Sequence, residues 1–221
     1  MGKIPDYERA LEYFAELSGE DFRREDFIDR VEGARVLPTI GPSGTSMIAF
    51  LISLTKPAKI LDIGCAVGIN TAAMAKAASE YGGEVTAIEI NRRIAGTAMH
   101  NLQSAGVADS VKLLVSDANR AIEKLSPESF GMIVQDAHKP DYLPMLDKLI
   151  EILQTGGLLV SDDVLFPIMG DDHAEEIDEY NHALADHPRL KTLWMPLGDG
   201  VAVSLKLPPV EKKRRTRIFF D

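Results

Sequence analysis

The stretch Lys59-Ile-Leu-Asp-Ile-Gly-Cys-Ala-Val-Gly68 decides the fold. Ile60, Leu61 and Ile63 read as a short apolar strand that carries Asp62 near its end. Gly64 and Gly68 let the backbone turn tightly and approach a ligand. The alanine-rich run Asn70 to Tyr81 then reads as a helix. Strand, glycine turn and helix together place backbone N–H groups at the carboxyl edge of a sheet, beside a bound ligand.

Downstream, strands and helices alternate. Glu84–Ile88 predicts a second strand ending at Glu89, and Arg92–Ala105 a helix stopped by Gly106. Ser110–Val115 predicts a third strand, followed by a short helix over Ala118–Leu125. Met132–Gln135 predicts a fourth strand ending at Asp136, and Tyr142–Leu153 a helix closed by Thr155-Gly-Gly157. Leu158–Val160 predicts a fifth strand ending at Asp162-Asp163, and Asp172–His187 a helix. Repeated β-α units of this size give an α/β fold, a parallel sheet with helices on both faces. Leu190–Met195 and Val201–Leu207 are separated by only Pro196–Gly200, which suits a hairpin and is too short for a crossover helix. The sheet is therefore expected to be mostly parallel, seven-stranded, and closed by a C-terminal antiparallel hairpin.

Upstream, Tyr7, Ala10, Leu11, Phe14 and Leu17 recur at helical spacing, and Phe22, Phe27, Ile28 and Val31 give a second apolar stripe. Gly41-Pro-Ser-Gly-Thr45 reads as a loop, with Thr45 or Ser46 capping a helix through Leu54. One domain is expected over 1–221. Residues 1–56 supply helices over the active site or at a dimer surface, 57–207 the core, and 208–221 a basic tail.

Bulk composition excludes several classes. No apolar run reaches the length a membrane helix needs, and the N-terminus lacks a signal-peptide stretch. The single cysteine, Cys65, rules out an internal disulfide framework, so a cytoplasmic protein is expected. The net charge of −10 opposes a broad nucleic-acid surface. It is uneven: the tail Glu211–Arg217 holds five basic residues, and residues 1–210 carry 19 basic against 32 acidic residues.

The strand ends carry Asp62, Glu89, Asp117, Asp136, Asp162 and Asp163. A carboxylate in the position of Glu89 is placed to accept from ribose hydroxyls, which suits either NAD or S-adenosylmethionine. The turn separates the two. A pyrophosphate wants Gly-x-Gly-x-x-Gly, and here Ala66 stands in place of the middle glycine. Asp62 just ahead of the turn would repel a pyrophosphate and suits an ammonium group. Asp136, Asp162 and Asp163 are hard oxygen ligands that suit Mg²⁺ or Ca²⁺. Lys139, three residues after Asp136, turns back into the same pocket, where a neighbouring divalent cation would push it toward neutrality and make it a base.

These motifs, in order, resemble the cation-dependent class I O-methyltransferases, the group of catechol and caffeoyl-CoA O-methyltransferases. Ile60–Gly64 resembles the first cofactor motif. Ala87–Ile90, with Asn101 and Ala105-Gly106, resembles the second-strand motif. Ile133-Val-Gln-Asp-Ala-His-Lys-Pro-Asp-Tyr142 is similar to the strand-four signature, Gly156–Asp163 to the fifth-strand motif, and Leu193–Gly200 to the final hairpin. The resemblance covers about Leu37 to Leu207 and implies a Rossmann-like fold. It implies that Asp62, Gly64 and Gly68 hold the methionine part of S-adenosylmethionine, and that Glu89 holds the ribose. Asp117 and Ala118 would border the adenine, and Ala66, Asn70 and Asp136 are further cofactor-binding positions. Asp136, Asp162 and Asp163 match the metal positions (Mg²⁺, or Ca²⁺ or Mn²⁺), and Lys139 matches the base.

The chain departs from the family at three places. Strand five ends in Asp162-Asp163 where the family has Asp-Asn. His138 stands where many members have Asp. Ala66 and Val67 replace smaller turn residues. The expectation is a metal-dependent O-methyltransferase of a small catechol-like acceptor, working as a homodimer. Two other readings stand beside it: a tRNA-modifying methyltransferase that uses the basic tail, and a non-catalytic cofactor-binding dimer.

Overall fold

The computed structural model describes Arg9, Tyr13, Leu17, residues 26–36 and residues 40–209. The elements run α1 (Gly41–Thr55), β1 (Lys59–Ile63), α2 (Ile69–Ser79), β2 (Glu84–Glu89), α3 (Arg92–Ser104) and β3 (Val111–Val115). They continue with α4 (Ala118–Ile122), β4 (Phe130–Gln135), α5 (Tyr142–Ile152), β5 (Leu153–Ser161), α6 (Phe166–Met169), α7 (Ala174–Asp186), β6 (Leu190–Met195) and β7 (Val201–Lys206). The seven strands form one sheet in the order β3-β2-β1-β4-β5-β7-β6. β1 to β5 pair in parallel, and β7 lies antiparallel between β5 and β6. The expected topology, including the closing hairpin, is what forms.

The central strands are buried on both faces, as parallel strands covered by helices must be. Successive residues of β1 feed opposite sides. Leu61 and Ile63 join the cluster built with Ile133, Leu149, Tyr142 and Tyr180, beneath α5 and α7. Ile60 joins Ile48, Ile52, Met74 and Val134, beneath α1 and α2. The chain order reverses between β1 and β4, so their carboxyl ends open a crevice at the switch point. There Ile63 pairs with Gln135, and Asp136 N–H donates to Ile63 O at 2.9 Å.

Four sequence expectations are corrected. α1 begins at Gly41, not after Thr45, because Pro42 is tolerated in a first helical turn where its missing N–H has no partner to lose. Thr45 thus lies inside the helix and caps nothing, and the Ile40 N-cap makes no side-chain cap bond. Arg9, Tyr13 and Leu17 are helical as expected, but residues 27–36 form bends, turns and a Val31–Ala34 bridge rather than a second helix. β5 starts at Leu153. The supposed loop Thr155-Gly-Gly157 lies within the strand, and the pairing jumps from Phe130–Leu153 to Met132–Leu158. α4 ends at Ile122, three residues early. The remaining apolar positions of the first N-terminal stripe, Phe22 and the basic tail lie outside the described residues.

Candidate active site

The glycine turn is bent by contact as well as by φ. A Cβ at Gly64 (φ +88) would stand 2.2 Å from Asp136 O, so the turn can close over the end of β4 only without a side chain. Gly68 (φ +83) leads into α2 and lies against Ala98, where a Cβ would come within 3.2 Å of the Ala98 Cβ. Between them Ala66 also takes a positive φ of 46. Its N–H donates to Glu89 Oε2 at 3.2 Å, and the other oxygen, Oε1, accepts from Asn91 N–H at 2.8 Å. Glu89 therefore ties the turn to the end of β2.

Asp62 is buried beneath this turn and accepts a 2.6 Å hydrogen bond from Thr71 Oγ1 of α2. Burial pushes its pKa up to about 7. The Thr71 hydrogen bond works against the rise, and repulsion from Asp136 and Glu89 adds to it. Burial also raises Glu89. This end of the crevice has a buried, acidic lining. Asn70, at the start of α2, has its Oδ1 engaged by Thr45 Oγ1 at 2.7 Å, which turns its amide N–H₂ away from α1. Asp117 caps α4 by accepting from Arg120 N–H at 3.0 Å. Ala118 begins that helix and packs partly against the core.

At the ends of β4 and β5, one oxygen from each of Asp136, Asp162 and Asp163 lies within 4.8 Å of the others. Burial raises all three, Asp162 to about 8; repulsion from Asp163 adds to the rise at Asp136, repulsion from Asp136 and Asp163 to that at Asp162, and repulsion from Asp199 and Asp171 to that at Asp163. Asp163 has a positive φ of 63, which swings its carboxylate back toward Lys139. Lys139 opens a 3₁₀ turn and is itself buried. Its Nζ lies 3.1 Å from Asp136 Oδ1, 2.5 Å from Asp163 Oδ2 and 3.0 Å from Tyr142 Oη. Burial pulls the ammonium down, but the two carboxylates outweigh it, and its pKa lies above the usual lysine value. The sequence expectation of a lysine pushed toward neutrality was conditional on a bound cation; with carboxylates alone around it, the shift has the opposite sign.

The residues read from sequence thus gather along one crevice: Asp62, Gly64, Ala66, Gly68, Asn70 and Glu89 at one end, Asp136, Lys139, Asp162 and Asp163 at the other. His138 is exposed instead, with Nδ1 3.3 Å from Asp141 Oδ2. Sequence reading missed Thr71, Thr45 and Tyr142 as partners. Only the Lys139-x-x-Tyr142 spacing held a signal, since i and i+3 eclipse in a 3₁₀ turn.

A family model described as O-methyltransferase matches residues 31–207. The chain belongs to the O-methyltransferase family. Among curated relatives, a caffeoyl-CoA O-methyltransferase of Stellaria longipes is 24% identical over 176 residues, 72% of this chain and 73% of that one. Caffeoyl-CoA O-methyltransferase 1 of Eucalyptus globulus is 28% identical over 173 residues, 71% of this chain and 70% of that one. The same fold occurs in the O-methyltransferase TomG of Streptomyces achromogenes, solved with S-adenosylmethionine. Its TM-score is 0.72 at 21% identity, covering 93% of this chain and 100% of that one. As a member of this family, the chain is an S-adenosylmethionine-dependent O-methyltransferase with a Rossmann-like core. Among the described residues, no helix is long and apolar enough to cross a membrane.

Proposed function

We propose that this O-methyltransferase methylates a hydroxyl of a small catechol-like acceptor, with a divalent cation held by Asp136, Asp162 and Asp163. The observation that carries the reading is the convergence of three carboxylates, Asp162 buried and Asp136 and Asp163 half-buried, with one buried amine at the ends of β4 and β5. The donor chemistry fits a hard cation such as Mg²⁺: all three ligands are carboxylates. The charge fits as well. Three carboxylates share the single ammonium of Lys139, and burial, with repulsion from Asp136 and Asp163 added to it, lifts Asp162 to about 8. When bound, S-adenosylmethionine supplies an electrophilic methyl group, and the cation supplies Lewis acidity to a chelated diol.

The chain's own residues then divide the work. Asp62 and the amide of Asn70 face the amino-acid part of the cofactor, and Glu89 offers its carboxylate to the ribose. Asp117 and Ala118 border the adenine. Gly64 and Gly68 let the backbone approach closely. Lys139 takes the proton of the acceptor hydroxyl at Nζ once the carboxylate charge around it is offset. Most of the acceleration comes from alignment and from charges fixed in advance by burial.

Calorimetric binding of S-adenosylhomocysteine, with and without Mg²⁺ and catechol, tests the proposal. The expected result is cofactor-product binding, with catechol binding only when metal is present. Catechol binding or methylation that persists in excess chelator would overturn the metal assignment. Cofactor binding without any metal-dependent diol binding would overturn the acceptor class.

A further inference from the structure

Behind the lysine stands a hydroxyl with a fixed direction. Tyr142 is fully buried at the start of α5. Its O–H donates to the backbone carbonyl of Gln135 at 3.0 Å, so its oxygen is left to accept, and it accepts from Lys139 Nζ at 3.0 Å. The Lys139 Nζ also lies 4.9 Å from the centre of the Tyr142 ring. Tyr180, from α7, meets that ring edge-on with centroids 5.2 Å apart. Its own hydroxyl bonds Ser161 Oγ at 2.6 Å and Gln135 Oε1 at 2.9 Å. Gln135 and Ser161 are the residues immediately ahead of Asp136 and Asp162.

We infer that Tyr142 is a positioning residue: its buried phenol fixes where the Lys139 amine stands over Asp136 and Asp163. The inference rests on the reading of Lys139 given above. Three N–H groups of an ammonium have three acceptors here, two of them carboxylates, which are strong but identical in kind. The phenol is the neutral third, anchored to β4, and it prevents the long lysine chain from turning toward the carboxylates alone. The Tyr142 hydroxyl is not needed to satisfy its backbone partner. Gln135 O also accepts from Asp162 N–H at 3.1 Å, so no buried carbonyl is orphaned if the phenol is lost. Tyr180 is the contrast, because removing its hydroxyl would leave both Gln135 Oε1 and Ser161 Oγ without that partner. Loss of the Tyr142 hydroxyl should therefore disturb the amine and spare the fold, whereas loss of the Tyr180 hydroxyl should cost stability.

Tyr142→Phe keeps the ring and deletes only this hydrogen bond. In protein labelled with ¹⁵N-lysine, the side-chain ammonium signal of Lys139, identified by its loss in Lys139→Met, should be sharp and slowly exchanging. In Tyr142→Phe it should broaden or shift while the melting temperature and S-adenosylhomocysteine affinity hold. With S-adenosylmethionine, Mg²⁺ and catechol, kcat should fall about 10- to 100-fold at unchanged KM, the scale of a misplaced reacting group. The Lys139→Met/Tyr142→Phe double variant should turn over no more slowly than Lys139→Met. An unchanged lysine signal in Tyr142→Phe, or no protected Lys139 signal in the parent protein, would overturn the inference. Full turnover by Lys139→Met would instead overturn the role given to Lys139 and leave the spectroscopic result to decide Tyr142 on its own.

Discussion

The two ends of the crevice use the same side chain in opposite ways. Near the glycine turn, Asp62 and Glu89 are buried carboxylates whose partners are neutral: a threonine hydroxyl and two backbone N–H groups. At the ends of β4 and β5, Asp136 and Asp163 are half-buried carboxylates held by a lysine ammonium. Burial raises the pKa at both ends. The first end holds its carboxylates with neutral donors. The second carries one positive charge of its own and has two carboxylates in excess of it. An acidic strand end is therefore not one kind of site; what distinguishes the kinds is whether the partners carry a counter-charge.

The largest expected effect comes from breaking the second end. Lys139→Met should lower kcat about 100- to 10,000-fold, the usual contribution of a general base, with S-adenosylhomocysteine affinity unchanged by calorimetry. Asp163→Asn sharpens the contrast. It removes one of the two carboxylates that hold Lys139 above its ordinary pKa. The lysine then loses its proton more readily, and the rising limb of the kcat–pH profile should move to lower pH. A limb that stays in place or moves up would show that Asp163 does not set the amine's charge.

At the first end, Glu89→Gln should weaken S-adenosylhomocysteine binding about 10-fold, as expected for loss of a charge-assisted hydrogen bond. Asp62 makes a stability prediction for the ligand-free protein. Folded Asp62 holds its proton up to about pH 7, whereas in the unfolded chain it releases it near the ordinary carboxylate value. Between those values the folded state binds more protons, so this group's contribution to stability falls as pH rises. Melting temperatures of Asp62→Asn should decline less than those of the parent from pH 5 to pH 8; equal declines would sink the assignment. The smallest expected effect is one of stability. Asp117→Ala removes the α4 cap and should cost about 1 kcal/mol in chemical denaturation.

Much of this was legible in the sequence. Apolar runs of fixed length between acidic ends gave five parallel strands, and Pro196–Gly200 was too short for anything but a hairpin. The errors share a physical cause. The start of β5 depends on pairing Leu153 with Phe130, a register set by tertiary contact and hidden by two glycines that resemble a loop. α1 was begun late because Gly41-Pro42 reads as a turn unless one asks which N–H groups need partners. At the site, residue types at strand ends announced the acids and the lysine. Their partners did not announce themselves. Thr71 reaches Asp62 from the following helix, and Thr45 reaches Asn70 across 25 positions. The sign of the Lys139 shift depended on two distances that spacing does not give.

The place of β7 in the sheet has a consequence for how the site comes into being. β7 lies between β5 and β6, and the turn before it accepts backbone hydrogen bonds from Val164 and Leu165, through Gly200 O and Asp199 O. During synthesis, a chain that has emerged only as far as Met195 has no partner strand for the open side of β5, and the segment just after Asp163 has nothing to fasten to. Assembly of the acidic trio must then wait for residues 199–206 to leave the ribosome. Without residues 199–206, β5 keeps an unpaired edge, and Val164 and Leu165 lose the backbone acceptors that fasten the segment after Asp163.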